Sequence, residues 1–398
     1  MRKAIEERIY MGKNIKINNA EPCLCGSGKI FKECCKNKVF SSNNGYSEEV
    51  LNNPQRINAI LQERMDKTDF KVCMFSDKSN CKLPIKNAHT LQNNGVLSVL
   101  AENNHVMVTD VLSKARSGST IKKISKNKAT TFYGFCEYHD DVLFKDIEVK
   151  EYNDEPKQNF LYSYRIIAQE YHKKQRSLSA LQNCVKDNPS ILQNPDVVEQ
   201  YRMYKLAVND LEEYVSIFNN AYVNESFNIL YNFTYKFENQ YQFAVTTMYV
   251  PCARINGEKL IDIYSKDEER LPSVFLTVIP ANGCSYFIMS CLKCDYDRLK
   301  IYFDDIRNMD ENKLKRFLNW NLPTYSENIV LSPRLWEQWD NKAQKEYEKM
   351  IAGPMGDFEK ILNKENPFDS YEDLLMAFKV HCGYIDMNSD PKYDLFIL

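Results

Sequence analysis

No stretch of the 398-residue chain approaches the roughly 18 consecutive apolar residues that a membrane-spanning helix needs, so none is expected. The opening residues, Met1-Arg-Lys-Ala-Ile-Glu-Glu-Arg8, are charged and lack the apolar core of a secretion signal. There is no G-x-x-x-x-G-K-[ST] phosphate loop, which excludes a nucleotide-driven motor of that kind. No internal repeat recurs at a fixed period. The formal net charge is only −2, so no global field drives the molecule onto nucleic acid or a membrane, and any such attraction must be local.

What is present describes a folded protein of two or three domains. Apolar residues make up 43% and charged residues 27%, an ordinary balance, and 21 Phe and 25 Tyr supply large side chains for cores. Thirteen cysteines without a secretion signal point to thiolate–metal chemistry and buried free thiols in a reducing cytoplasm, where the protein is expected to reside.

Four of those thiols lie in Cys23-Leu-Cys25-Gly-Ser-Gly-Lys-Ile-Phe-Lys-Glu-Cys34-Cys35. The C-x-C and C-C pairs flank a Gly26-Ser27-Gly28 turn, a spacing that can wrap four sulfurs around one Zn²⁺. The glycines let the backbone approach the thiolates so that amide hydrogens can point at sulfur. Four thiolates on one Zn²⁺ leave a local negative charge, which Lys29, Lys32, Lys36 and Lys38 are placed to offset. A disulfide staple or redox cluster is the alternative, and a reducing compartment argues against it.

The stretch closely resembles the SEC-C motif, C-x-C-G-S-G-x-x-[FY]-K-x-C-[CH]. That motif is the small zinc module at the carboxyl end of the SecA translocase ATPase and an appendage on many other bacterial proteins. By that resemblance Cys23, Cys25, Cys34 and Cys35 are the zinc ligands. The family's docking role implies a ribosome- or export-associated adaptor as one function.

A second set, Cys73-x7-Cys81 and Cys136-x2-His139, has the Cys₃His composition of many structural zinc sites. Tyr133-Gly-Phe135 before Cys136, and Asp140-Asp141 after His139, fit a tight turn leading into a helix whose first turn carries a ligand and two acids. The arrangement is similar to treble-clef zinc fingers and, more distantly, to the zinc-stapled branch of HNH endonucleases. That likeness implies that His89, in Ala88-His89-Thr90, is a general base activating water. It further implies that Asp140 or Asp141 holds Mg²⁺ or Mn²⁺ beside the scissile phosphate. The HNH pattern has an acid where this chain has Ala88, and Asn where it has Asp140.

Between the two ligand pairs, Lys114, Arg116, Lys122, Lys123, Lys126 and Lys128 fall in a Ser- and Thr-rich stretch that reads as a flexible basic loop able to grip phosphates. A solvated surface loop is the alternative. Cys291-Leu-Lys-Cys294 closes an apparent strand and, with Cys252 and Cys284, reads as buried thiols.

The expected fold class is α+β and multidomain. Residues 1–40 are a tail and the zinc knuckle, and 41–55 a linker on which the knuckle moves independently. Residues 56–150 form a zinc-stapled, treble-clef-like α+β domain, 155–226 a helical hairpin, and 227–398 a mainly antiparallel β-sheet followed by C-terminal helices. Strands are expected at Leu230–Phe237 and Tyr241–Tyr249 around a Glu238–Gln240 turn, and in a hairpin at Pro272–Ile279 and Cys284–Leu292. The functional expectation is a zinc-binding protein that contacts nucleic acid or a protein partner. An HNH-like nuclease in defence or nucleic-acid processing is the competing expectation.

Overall fold

The computed structural model describes residues 17–39, 45–110, 119–261, 270–362 and 387–398. The basic residues Lys114 and Arg116, the Ser41–Asn44 part of the linker and His381-Cys382 lie outside the described residues.

In chain order the longer helices are α1 (Pro54–Lys67), α2 (Glu137–Glu148), α3 (Pro156–Asp187), α4 (Pro195–Val223), α5 (Tyr296–Arg307), α6 (Glu311–Tyr325) and α7 (Asn341–Leu362). The strands are β1 (Ile85–His89), β2 (His105–Thr109), β3 (Ile121–Ser125), β4 (Thr131–Cys136), β5 (Leu230–Phe237), β6 (Phe243–Tyr249), β7 (Val274–Ala281), β8 (Cys284–Leu292) and β9 (Ile329–Leu331). Every pairing among them is antiparallel, as the α+β reading requires. Local chemistry sets the helix starts. The Asn53 side chain accepts from the Arg56 amide at 3.1 Å and Pro54 takes the first helical position of α1, while Asp310 caps α6 through the Lys313 amide at 2.9 Å.

Two compact units divide the chain, Met1–Lys71 with Glu170–Glu213, and Val72–Gln169 with Tyr214–Leu398. The helical hairpin is present as α3 and α4, joined by a short 3₁₀ turn at Pro189–Gln193, and each helix contributes residues to both units.

In the first unit the knuckle does not stand apart. Leu24, Phe31 and Val39 share one apolar core with Leu51 and Ile57, with Leu181 and Val185 of α3, and with Ile191, Leu192, Val197 and Val198 around the turn into α4. Polar bonds add to it. Gln193 donates to the Val39 carbonyl at 2.7 Å, and the Tyr46 amide donates to Ser190 Oγ at 2.9 Å. Gly26 lies against the terminal amide of Gln182 of α3, and its φ of +72° is the left-handed conformation that favours glycine. The independently moving module expected from the sequence is thus a docked one. The knuckle's few apolar residues bury little alone but complete a core that the helices leave open.

The second unit contains two sheets, β1–β4 and a seven-stranded sheet in the order β3-β2-β9-β6-β7-β8-β5. β7 and β8 are apolar on both faces and sit between other strands, whereas β5 lies at one edge, mostly half-buried. The expected β7–β8 hairpin is present and turns at Asn282-Gly283, both with positive φ. The Glu238–Gln240 turn, however, does not make a hairpin: β5 pairs with β8, and β6 with β7 and β9. A sheet core buried on both sides rewards the most apolar neighbours, so β7 and β8 intervene. The basic stretch is also not a loop throughout, because Ile121–Ser125 form edge strand β3 and Lys126–Lys128 a 3₁₀ turn. α5, α6 and α7 supply Leu299, Phe303, Leu314, Phe317 and Tyr347 to the core of the large sheet.

Candidate metal centres and the His89 site

The first centre is assembled almost wholly by local backbone. The Cys23 amide donates to the Lys29 carbonyl at 2.8 Å, and the Gly26 amide to the Cys23 carbonyl at 3.0 Å. Cys23, Cys25, Cys34 and Cys35 bring their sulfurs within 4.8 Å of one another. Cys25 and Cys34 are 3.5 Å apart and Cys34 and Cys35 3.9 Å. Four sulfurs about 2.3 Å from a zinc ion stand about 3.8 Å from one another, so this set fits tetrahedral Zn²⁺. Burial pushes the Cys25 thiol up, yet hydrogen bonds from Ser27 and the neighbouring thiols bring it down to about 7. Burial and then Cys23 push Cys35 upward. Thiols split in this way, with amides aimed at sulfur, are what a bound dication would bring to a common ionised state.

The second centre needs the fold. The Met74 amide donates to the Gly134 carbonyl at 2.8 Å, which ties the Cys73 loop to β4. Gly134 has no room for a side chain, since a Cβ would lie 2.3 Å from the Phe132 ring. Lys78 Nζ binds the carbonyls of Cys73 and Phe75, closing the loop from beneath. Cys136 ends β4, and His139 sits in the first turn of α2. His139 Nδ1 then lies 3.3 Å from Cys73 Sγ, 3.5 Å from Cys81 Sγ and 3.3 Å from Cys136 Sγ. Zinc with three sulfurs and one imidazole nitrogen requires about 3.6 Å between nitrogen and sulfur, so this set fits too, through Nδ1. The backbone amides of His139 and Lys82 hold the Cys136 thiol below its usual range despite burial, while burial and the Cys73 thiol push Cys81 up to about 11. Phe75 and Tyr138 flank the imidazole with ring centroids at 4.7 Å and 5.2 Å.

Each cluster offers four protein donors, the composition of a closed structural site without a position left for substrate. Among the described residues these are the clusters of three or more potential metal ligands, so His89, Asp140 and Asp141 are not brought into a third.

His89 ends β1, opposite Thr131 of β4, and α2 follows β4 directly. Its Nδ1 is 2.9 Å from the Ala129 carbonyl, which can only accept. Nδ1 therefore carries the proton and the lone pair falls on Nε2. Burial holds the imidazole below its usual range, against the Ala129 hydrogen bond and Glu148. Arg165 adds to the lowering, and Asp140 also acts on the ring. Asp140 is buried with Oδ1 lacking a partner, and its Oδ2 is 3.2 Å from Lys86 Nζ, which also reaches Asp141 at 2.6 Å. The expected Mg²⁺ or Mn²⁺ site at Asp140 or Asp141 is thus not supported, because the ammonium of Lys86 takes the cation's place beside both acids.

The basic residues are dispersed. Lys122 lies 4.0 Å from Asp110 and Lys123 3.9 Å from Glu337, while Lys126 is spent on Ser98 Oγ at 2.6 Å and the Asn93 carbonyl. Cys252, Cys284 and Cys291 are buried as expected, but Cys294 is exposed. Sequence reasoning missed Arg165, which is buried in α3, paired with Glu148 and stacked 4.2 Å from the Phe144 ring. Its signal was an arginine set in an otherwise apolar helical stretch. No helix among the described residues is long and apolar enough to cross a membrane.

A family model described as the SEC-C motif matches residues 20–37. No curated protein and no solved structure matches the chain. The first centre is therefore the cysteine set of a SEC-C motif, which together with the second Cys/His cluster marks a zinc-binding protein.

Proposed function

We propose that the protein acts on nucleic acid. In this reading both zinc ions serve as scaffold, and His89 is the general base of a phosphodiester-hydrolysing site in the second module. The observation that carries the reading is the 2.9 Å bond from His89 Nδ1 to the Ala129 carbonyl, at the end of a strand packed in a strand–strand–helix frame. It orients a neutral imidazole with Nε2 as proton acceptor. Water gives its proton to Nε2 and its oxygen to phosphorus. The P–O bond to the leaving sugar oxygen breaks, that oxygen takes a proton from solvent, and the His89 imidazolium returns its proton to solvent, so one water is added across the bond.

The test is cleavage of labelled single- and double-stranded oligonucleotides by the full chain, with zinc content measured alongside. His89→Ala is expected to keep two zinc ions per chain and to lose cleavage by about a hundredfold or more. Cleavage unchanged in that variant overturns the reading.

A nucleic-acid binder without chemistry is the second reading. It is favoured by Lys122, Lys123 and Lys128, which are exposed along and just beyond edge strand β3. In that case the wild type binds without cutting, His89→Ala binds equally well, and alanine at those three lysines weakens binding with a shallower salt dependence.

A further inference from the structure

Six non-glycine residues among those described have positive φ: Asn103, Asn104, Thr130, Asp154, Glu225 and Asn282. Four are Asn or Asp, which tolerate the left-handed region, and Thr130 at +57° is the one β-branched residue. Such a conformation persists only where its surroundings over-determine it, and it collects at functional sites. Here the surroundings are the segment that follows His89. The Thr90 amide donates to the Thr130 carbonyl at 2.9 Å, and the Thr90 hydroxyl donates to the same oxygen at 3.1 Å. The Leu91 amide donates to Thr130 Oγ1 at 3.4 Å. From the other side, the Ala129 amide donates to the Lys126 carbonyl at 3.2 Å, and Ala129 is fully buried. The peptide between Ala129 and Thr130 is thus held from both directions, and its carbonyl is the one that receives His89 Nδ1–H.

We propose that Thr130 is the positioning residue of the His89 site: its left-handed turn aims the Ala129 carbonyl at the imidazole and fixes the ring as the Nδ1–H tautomer, with Nε2 as the proton acceptor. This rests on the hydrolytic reading for its purpose but not for its measurement. The Thr130 hydroxyl adds a bond that ties the turn to the residues just past His89.

The tautomer is read by ¹⁵N-histidine NMR on the full zinc-loaded chain at pH 8, with the His89 signals assigned by their absence in His89→Asn. The wild type is expected to show the Nδ1–H form at His89. Thr130→Val loses the hydroxyl and keeps the conformational penalty, so the turn relaxes and His89 becomes a mixture of tautomers. With it, oligonucleotide cleavage falls about tenfold to a hundredfold in kcat with little change in KM. Thr130→Gly adopts the turn without penalty and is expected to keep the Nδ1–H form, showing that any loss in the valine variant is not general unfolding. A wild type with the Nε2–H form, or a valine variant whose His89 tautomer is unchanged, overturns the proposal. A tautomer that responds as stated in a chain that cuts no nucleic acid upholds Thr130 as a positioning residue and sinks the hydrolytic reading alone.

Discussion

The two centres use nearly the same chemistry and are built in opposite ways. In the first, four sulfurs come from thirteen consecutive residues, and turns within that stretch set their spacing. In the second, the donors are spread from Cys73 to His139 and meet only because β1 pairs with β4 and α2 starts where β4 ends. The first is a local motif that borrows a core from helices, whereas the second is a local core that borrows its motif from the fold. The physical lesson is that metal binding should fold the first centre and staple the second.

Metal removal is the severest challenge to that contrast. Structural zinc in small fingers is worth about 10–16 kcal/mol of apparent binding energy, a large part of any domain's stability. Cys34→Ala is expected to lower zinc from two ions per chain to one. It should also abolish hydrogen-exchange protection across residues 17–39 and weaken it around Ile191 and Val197, which share that core. Cys136→Ala is expected to release the other ion and loosen β1, β4 and the start of α2, while the apolar β7–β8 core stays protected. Equal, chain-wide loss in both variants would erase the distinction.

The docking of the knuckle gives a smaller effect. Phe31 is 7% exposed within the shared core, and Phe31→Ala is expected to cost about 3–5 kcal/mol. Denaturant titration should register that loss, and competition with a zinc chelator should show weaker retention at the first centre alone. A tethered knuckle would instead leave α3 and α4 untouched.

Acid sharpens the comparison further, because the first unit holds a buried histidine that is not a ligand. Burial, and then the charge of Arg176, push His172 down to about 4. Below about pH 6.5 the unfolded chain takes a proton that the folded one refuses, so stability intact above that value is lost as pH falls toward 4. The loss reaches about 3 kcal/mol at full development. His172→Phe should flatten this acid limb when unfolding of α1 is followed by hydrogen exchange between pH 7 and pH 4.5. An unchanged limb would place the acid sensitivity elsewhere.

Both cysteine sets could be read from the chain, and for different reasons. C-x-C and C-C around Gly26-Ser27-Gly28 carry their own geometry. Cys73, Cys81, Cys136 and His139 were legible only as two chelating pairs, and nothing local says that the pairs meet. Strands β5, β7 and β8 were legible from their Val, Ile, Phe and Tyr content, but pairing was not. β5 bypasses β6 for β8, and the three-residue β9 is too short to leave a pattern yet joins β2 to β6.

The sequence by itself determined the donors, the α+β character and the long helices, since these depend on residue type and on spacings of a few positions. Only the tertiary structure decided that the knuckle is docked, that Lys86 stands between Asp140 and Asp141, and that His89 is held by Ala129 through the turn at Thr130. Those contacts join residues far apart in the chain, and their energies depend on burial and on hydrogen-bond geometry, which exist only once the fold has closed.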